Sequence, residues 1–457
     1  MRLLAQRRRI SASPRLAALW LYLNVWLGQL LLISYALLDS LVVGHVAPLD
    51  LGALTLGNSL YVPIMVTSTA VLSGTTFLIA REHRATSDSL GALVARSFVI
   101  AIVIGAFDIA ILQMAAHASI WRGAPLHLQV SASMYLNWLS IGVLPSMLFR
   151  VTAAICHGAL LSRYGTALQA LGLVTKCIIL RELIKLPDRL TVIDACGIST
   201  AGSFLLIGLL GVVLLHRRSR FHSYRPRWIK ELLRLRSYAL FLRSGIPFGL
   251  SAFAELSAFA FISGEISHRG AVALAAHQIA SNVMNVGYSF ISAFAIVTSV
   301  YISRSRRVAI AAMLDDRIVH ALFLSAGLGL ILMALCLAVR PVIVSSYTSV
   351  VTVSAIGNRV LPIVACVFLF DSLQSTAASI LRANGFNLLP TCIQIFGLWL
   401  CGVFLGSLLV AFPSDIQPSS SSVVFLYWFS IAIGMLLTAA VLCRLAITRL
   451  RQTDCRR

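Results

Sequence analysis

The sequence predicts an all-α polytopic membrane protein: twelve transmembrane helices in two six-helix lobes, related by a pseudo-twofold axis along the membrane normal. Three observations predict it. The 457-residue chain is 59% hydrophobic and only 12% charged, with a mean hydropathy of +0.90, whereas an ordinary soluble domain carries about a quarter charged residues. Apolar windows of about 20 residues, the length that spans a bilayer core, recur from one end of the chain to the other. The basic residues are unevenly placed. With both termini in the cytoplasm, the cytoplasmic tails and loops hold 27 of the 37 Lys and Arg, the opposite loops 7 and the spans 3, which is the positive-inside pattern. Termini on one side require an even number of spans, and twelve satisfies it.

The first span, near 16 to 42, follows MRLLAQRRRISASPR. This segment reads as a retained cytoplasmic tail, because the apolar run after it is too long for a signal peptide and lacks a small-residue cleavage site. The second span, near 50 to 80, opens on LGALTLG. The third, near 90 to 118, and the fourth, near 128 to 152, carry Arg96 and Arg150 close to their cytoplasmic ends. The fifth, near 164 to 181, is interrupted by Lys176 and followed closely by RELIKLPDR. Lys176 is expected to snorkel to an interface, or to mark a shifted span boundary, ahead of pairing with an acid. The sixth, near 190 to 215, closes the first half. After HRRSRFHSYRPRWIKELLRLR come the seventh to twelfth, near 243 to 267, 271 to 302, 318 to 339, 356 to 381, 388 to 411 and 423 to 443.

The two halves echo one another. LGALTLG from Leu51 matches RGAVALA from Arg269 at an offset of 218, each opening the second span of its half. TAAICHGA from Thr152 matches TAASILRA from Thr376 at an offset of 224, each at the cytoplasmic end of a fourth span. Because six spans separate the copies, both halves enter the membrane in the same sense, the parallel repeat of many transporters. The domain reading is therefore an amino-terminal lobe over 1–215, a basic connector over 216–242 that lies on anionic headgroups, and a carboxy-terminal lobe with a short basic tail over 243–457.

Three lone acids sit inside apolar spans. Glu255 lies midway along SGIPFGLSAFAELSAFAFISG, twelve positions from Arg243; Asp371 lies in VACVFLFDSLQSTAASILR; Asp39 lies in WLGQLLLISYALLDSLVVG, with no Lys or Arg between Arg15 and Arg81. A charge at bilayer depth costs at least about 2.5 to 3.5 kcal/mol, and such residues usually face a cavity and carry ions or protons. Desolvation disfavours the charged form and protonation removes the burial cost, so these acids suit a cation-coupled transporter. Asp108, Asp194 and Glu265 fall nearer the outer face and are left out.

Other chemistries find no support. The nine cysteines include no CxxC pair, and no HExxH, GxSxG or GxxxxGK[ST] string occurs, so neither an enzyme nor a metal or cofactor site is read. The net charge of +21 is spread over cytoplasmic loops without interleaved aromatics, which argues against nucleic acid. A flippase of lipid-linked precursors would need several cavity cations to hold a pyrophosphate, and only Arg96, Arg150 and Lys176 fall within spans. It stands as the alternative, beside a membrane protein that has lost transport.

The residues also resemble a known family. LLDSLVVGHVAPLDLGALTLGNSL, GIPFGLSAFAELSAFAFISGEISHRGAVALAAHQIA and FDSLQSTAASILRANG are similar to the first and second, seventh and eighth, and tenth spans of the multidrug and toxic compound extrusion (MATE) transporters, most of all their bacterial drug-exporting branch. The resemblance implies a two-lobed antiporter that exports bulky, often cationic or amphipathic small molecules against an inward flow of protons or sodium. It implies coupling roles for Asp39, Glu255 and Asp371, with Gln278 of the A-A-H-Q string as a cavity-lining group. The first span lacks the proline many members carry near its start. Val367 stands where some sodium-dependent members have a tyrosine, which favours the proton as coupling ion, with sodium at Glu255 and Asp371 as the alternative. A monomer in the bacterial inner membrane, contacting lipid and needing no cofactor, completes the expectation.

Overall fold

A computed structural model describes residues 14–47, 51–82, 85–117, 126–185, 190–226, 238–305, 311–348, 350–411 and 420–454. Every span expected from the sequence is a helix: α1 (Pro14–Val46), α2 (Leu51–Arg81), α3 (Ser87–His117), α4 (Leu126–Gly158), α5 (Ser162–Ile184), α6 (Val192–Arg217), α7 (Ala239–Ser267), α8 (Ala271–Ser305), α9 (Ala311–Tyr347), α10 (Val351–Ala383), α11 (Leu388–Ala411) and α12 (Ser420–Asp454). Among the described residues no strand occurs. Eleven of these helices are long and apolar enough to cross a membrane. The exception is α5, whose Arg163, Lys176, Arg181 and Glu182 dilute an otherwise apolar sequence.

The repeat read from sequence is a repeat of packing. In the first lobe α4 lies against α2, α3 and α6, and α1 lies on α5; in the second, α10 lies against α8, α9 and α12, and α7 lies on α11. The lobes meet where α1 touches α8 and α2 touches α7, two contacts that a twofold axis exchanges. The TAAICHGA and TAASILRA strings also end in the same turn. Leu161 N–H donates to Cys156 O at 2.7 Å and Phe386 N–H donates to Leu381 O at 3.0 Å, each closing a helix with the six-to-one bond of a Schellman cap. The residue before each donor is left-handed, Leu160 at φ 61° and Gly385 at φ 92°. Glycine adopts that conformation freely, whereas a leucine there is uncommon and strained.

Contacts between the lobes gather at the end that carries the basic connector and the chain termini. A Cβ on Gly245 of α7 would lie 2.4 Å from the Val71 carbonyl oxygen of α2, so the two backbones touch only because that position is glycine. Beside them Phe77 and Phe248 stand 4.9 Å apart. Across the other seam Trp26 stacks on Phe290 at 4.6 Å, and Arg304 of α8 donates to Gly158 O at 2.7 Å. Further along, Leu37 and Leu41 of α1 and Phe253 of α7 are exposed. The start of the connector forms a 3-10 turn, Ser219–Tyr224, whose Phe221 is buried against Tyr164 of the first lobe. Residues 227–237 of the expected headgroup-binding connector 216–242, most of the amino-terminal basic segment at 1–13 and residues 306–310 lie outside the described residues.

Two helix irregularities place side chains. Pro247 in α7 has no N–H, so the helix leaves the Arg243 carbonyl free. Asn387, just before α11, donates to that oxygen at 3.2 Å. In α11 the middle stretch Gly397–Phe404 is a π-helix, a widened turn that re-aims side chains and recurs at functional sites. Its Trp399 donates to Ala254 O at 3.0 Å, tying the bulge to the turn of α7 that carries Glu255.

Candidate functional site

The second lobe brings two of the expected acids to one place. A cavity of about 40 Å³ opens between α7, α10, α11 and α12, lined in part by Ser251, Glu255, Gln374, Gln394 and Thr438. That is room for a few waters or a small ion, each water needing roughly 10 to 15 Å³. Among the described residues no hydrogen bond or ion pair holds the Glu255 carboxyl. Asp371, on α10, is buried, and its Oδ1 accepts from Gln374 Nε2 at 3.0 Å and from Ser375 Oγ at 3.1 Å. Its Oδ2 is buried with no partner. Gln374 links the two acids, since it lines the cavity beside Glu255 and donates to Asp371. Buried oxygen acceptors without donors demand a proton, a water or a cation.

Arg382 is the member of this cluster that sequence reasoning missed. It ends α10, where it reads as a cytoplasmic-loop residue, yet it is only 9% exposed. Its Nη2 donates to Ser251 Oγ at 2.8 Å, Gln394 Oε1 at 2.9 Å and Thr391 Oγ1 at 3.1 Å. Its guanidinium carbon lies 4.3 Å from the centre of the Phe248 ring, within cation–π range. Two of those acceptors, Ser251 and Gln394, line the cavity that holds Glu255. The guanidinium thus stands behind the cavity, holding two of its polar lining groups.

The first lobe treats its acid differently. Asp39 of α1 is 2% exposed, and the Lys176 Nζ of α5 stands 2.7 Å from its Oδ1, itself 0% exposed. The snorkelling and shifted-boundary readings of Lys176 are corrected here: the ammonium points inward because a carboxylate, a hydroxyl and an aromatic face await it. It donates to Thr200 Oγ1 of α6 and lies 5.4 Å from the centre of the Tyr35 ring. Tyr135 of α4 donates to Asp39 Oδ2 at 3.2 Å. The available signal was a lone base and a lone acid in different spans of one lobe.

The remaining polar residues divide plainly. Gln278 is exposed on α8 and donates to Asn282 Oδ1 at 3.2 Å. Its neighbour His277 is buried between α7 and α12, where Trp428 Nε1 donates to its Nδ1 at 3.2 Å and Ser263 Oγ lies 3.0 Å from its Nε2. That chain assigns a neutral imidazole with its hydrogen on Nε2. Asp194 closes the capping box of α6 with Thr191 and accepts from Trp138 Nε1 at 2.9 Å, a structural use. Asp108 accepts from Ser68 at 2.9 Å.

Two six-helix lobes of repeated order, each with a buried acid and meeting along a symmetric seam, define an integral membrane protein of the two-lobed transporter type. The chain belongs to the MatE family, whose model matches residues 25–179 and 247–408. It is 26% identical over 430 residues to the probable multidrug resistance protein NorM of Chromobacterium violaceum, covering 89% of this chain and 88% of that one. Likewise it is 25% identical over 438 residues to the multidrug resistance protein PmpM of Pseudomonas aeruginosa, covering 92% and 88%. Among solved structures, the eukaryotic MATE transporter AtDTX14 superposes with a TM-score of 0.84 at 14% identity, over 96% of this chain and 98% of that one. The MATE transporter VcmN of Vibrio cholerae in its bent form superposes with a TM-score of 0.81 at 17% identity, over 96% and 97%.

Proposed function

We propose that this protein is a secondary active antiporter that exports bulky, cationic or amphipathic small molecules in exchange for protons by alternating access between its lobes. The observation that carries this reading is that Glu255, which lines a small cavity in an apolar lobe, and Asp371, on a separate helix, are linked through Gln374. Both multidrug resistance relatives match this chain over most of its length, which supports a drug-like cargo. The charge asymmetry of the loops supports a cytoplasmic basic end, and the contacts between the lobes at that end support an outward-open state, the one that releases cargo.

Linkage supplies the mechanism. If cargo and proton favour opposite lobe arrangements, or compete for the same carboxyls, proton entry drives cargo release. A charge crossing fully yields about 2.3 kcal/mol per 100 mV, enough for more than a tenfold concentration ratio at about 1.4 kcal/mol per decade. The chain works as a monomer in the inner membrane, with both termini cytoplasmic.

The test is efflux of a fluorescent drug cation from vesicles reconstituted with Glu255→Gln or Asp371→Asn. Each change keeps hydrogen-bonding shape and removes titration, and each is expected to abolish or severely reduce driven efflux while the protein still inserts. Driven efflux at wild-type rate from either variant removes that carboxyl from the coupling role.

A further inference from the structure

Asp39 and the second-lobe acids stand in opposite electrostatic situations, although Asp108 of the first lobe, like Asp371, keeps a buried Oδ2 without a partner. In the second lobe Glu255 lines a cavity, Asp371 is joined to that cavity through Gln374, and the Asp371 Oδ2 is buried without a protein partner. In the first lobe the place beside Asp39 Oδ1, where a mobile cation would sit, is filled by the Lys176 ammonium at 2.7 Å. That ammonium is held from three sides: by Asp39 of α1, by Thr200 of α6 and by the face of Tyr35 of α1. Thr200 is oriented in turn by donating to Cys196 O at 2.9 Å, and Tyr135 takes the other oxygen of Asp39. An ammonium carries three donors and no acceptor, and its single positive charge already neutralises the Asp39 carboxylate.

We propose that Lys176 is a tethered counter-cation that closes the Asp39 site of the first lobe to inorganic monovalent cations. Lys176 is then a specificity-determining residue: its covalent attachment fixes the charge of the first lobe through the whole cycle. Asp39 serves as the partner of Lys176 rather than as a docking point for a free ion. A cation attached to the chain at contact distance has an effective concentration that free sodium at millimolar levels does not match.

The role of the second lobe rests on the coupling reading above, but the test measures binding and needs no transport. Radiolabelled sodium binding would be measured on purified protein in detergent, with choline as the balancing cation. In the Glu255→Gln, Asp371→Asn double variant, which removes the second-lobe carboxyls, no saturable sodium binding is expected. Adding Lys176→Asn to that background leaves Asp39 unpaired and frees space beside it. Saturable binding of about one sodium per chain is then expected, accompanied by sodium-dependent thermal stabilisation, and a further Asp39→Asn change should abolish both. Lys176→Arg, which keeps a tethered cation, should bind none. Saturable binding by the double variant that disappears on Asp39→Asn overturns the proposal, as does a folded Lys176→Asn protein that binds no sodium. If Lys176→Asn does not fold, the double variant with and without Asp39→Asn decides the question alone. Failure of the coupling reading appears in efflux and leaves these binding results untouched.

Discussion

Replacing Lys176 by Met tests the buried ion pair most sharply. The side chains are similar in length, so the change removes charge with little loss of volume. Asp39 is 2% exposed and Lys176 0%, and the Met variant leaves the carboxylate with the Tyr135 hydroxyl as its donor. Breaking a buried pair by removing one partner costs about 3 to 5 kcal/mol, because the remaining charge stays desolvated. That is a large fraction of a typical folding stability of about 5 to 15 kcal/mol. Asp39→Asn strands the ammonium and carries a similar cost. The double variant strands neither, and neutral replacement of a buried pair often leaves stability unchanged or improved. Stability is read from unfolding in mixed micelles, by titrating a denaturing detergent and following tryptophan fluorescence. The expected pattern is two singles each well below wild type and a double within about 1 kcal/mol of it. Single losses below about 1 kcal/mol, or losses that add in the double variant, would refute a buried and mutually dependent pair.

Further outcomes follow from other contacts. Gly245→Val drives a Cβ against the Val71 carbonyl, so it should loosen the α2–α7 seam. In a cysteine-free background, a cysteine at position 71 should then react faster with a membrane-impermeant thiol reagent added from the cytoplasmic side; an unchanged rate contradicts the packing. Arg382→Gln strips a charged donor from Ser251, Thr391 and Gln394. It should cost about 1.5 to 3 kcal/mol in the same unfolding assay, and a loss below about 0.5 kcal/mol would show that the guanidinium is dispensable. Reporter fusions should place both termini and the 216–242 connector in the cytoplasm, and an external carboxy terminus would overturn the topology drawn from the loop charges.

The fold was largely legible because a bilayer admits few solutions. Length and hydropathy marked all twelve helices, the fifth least clearly, and the shared turn after TAAICHGA and TAASILRA shows that even a faint repeat reported real backbone geometry. The fifth span was the poorest reading, since its charges lower its hydropathy and only packing against α1 and α6 explains why they are tolerated. The acids were visible as isolated charges in apolar surroundings. Their partners were not. Lys176 and Asp39 lie on different helices, and the inward turn of the ammonium depends on Thr200 and Tyr35, which no local pattern links to it. Arg382 looked like a loop residue because it ends a span. Its burial arises from hydroxyl and amide groups of α7 and α11, whose approach is set by Pro247 and the turn before α11. Sequence periodicity carries no information about such convergence.

Proton-coupled export is measured most directly as efflux of a drug cation from reconstituted vesicles under separately imposed gradients. Glu255 at a small cavity, linked through Gln374 to a buried Asp371 that also accepts from Ser375, suits a proton, which needs only an acid in an apolar setting. A sodium ion wants several oxygen ligands closing around it, and Val367 of α10 presents a buried apolar side chain one turn before Asp371. The account predicts efflux driven by a pH gradient in sodium-free buffer. Efflux driven by a sodium gradient at clamped pH, with none under a pH gradient alone, would contradict it.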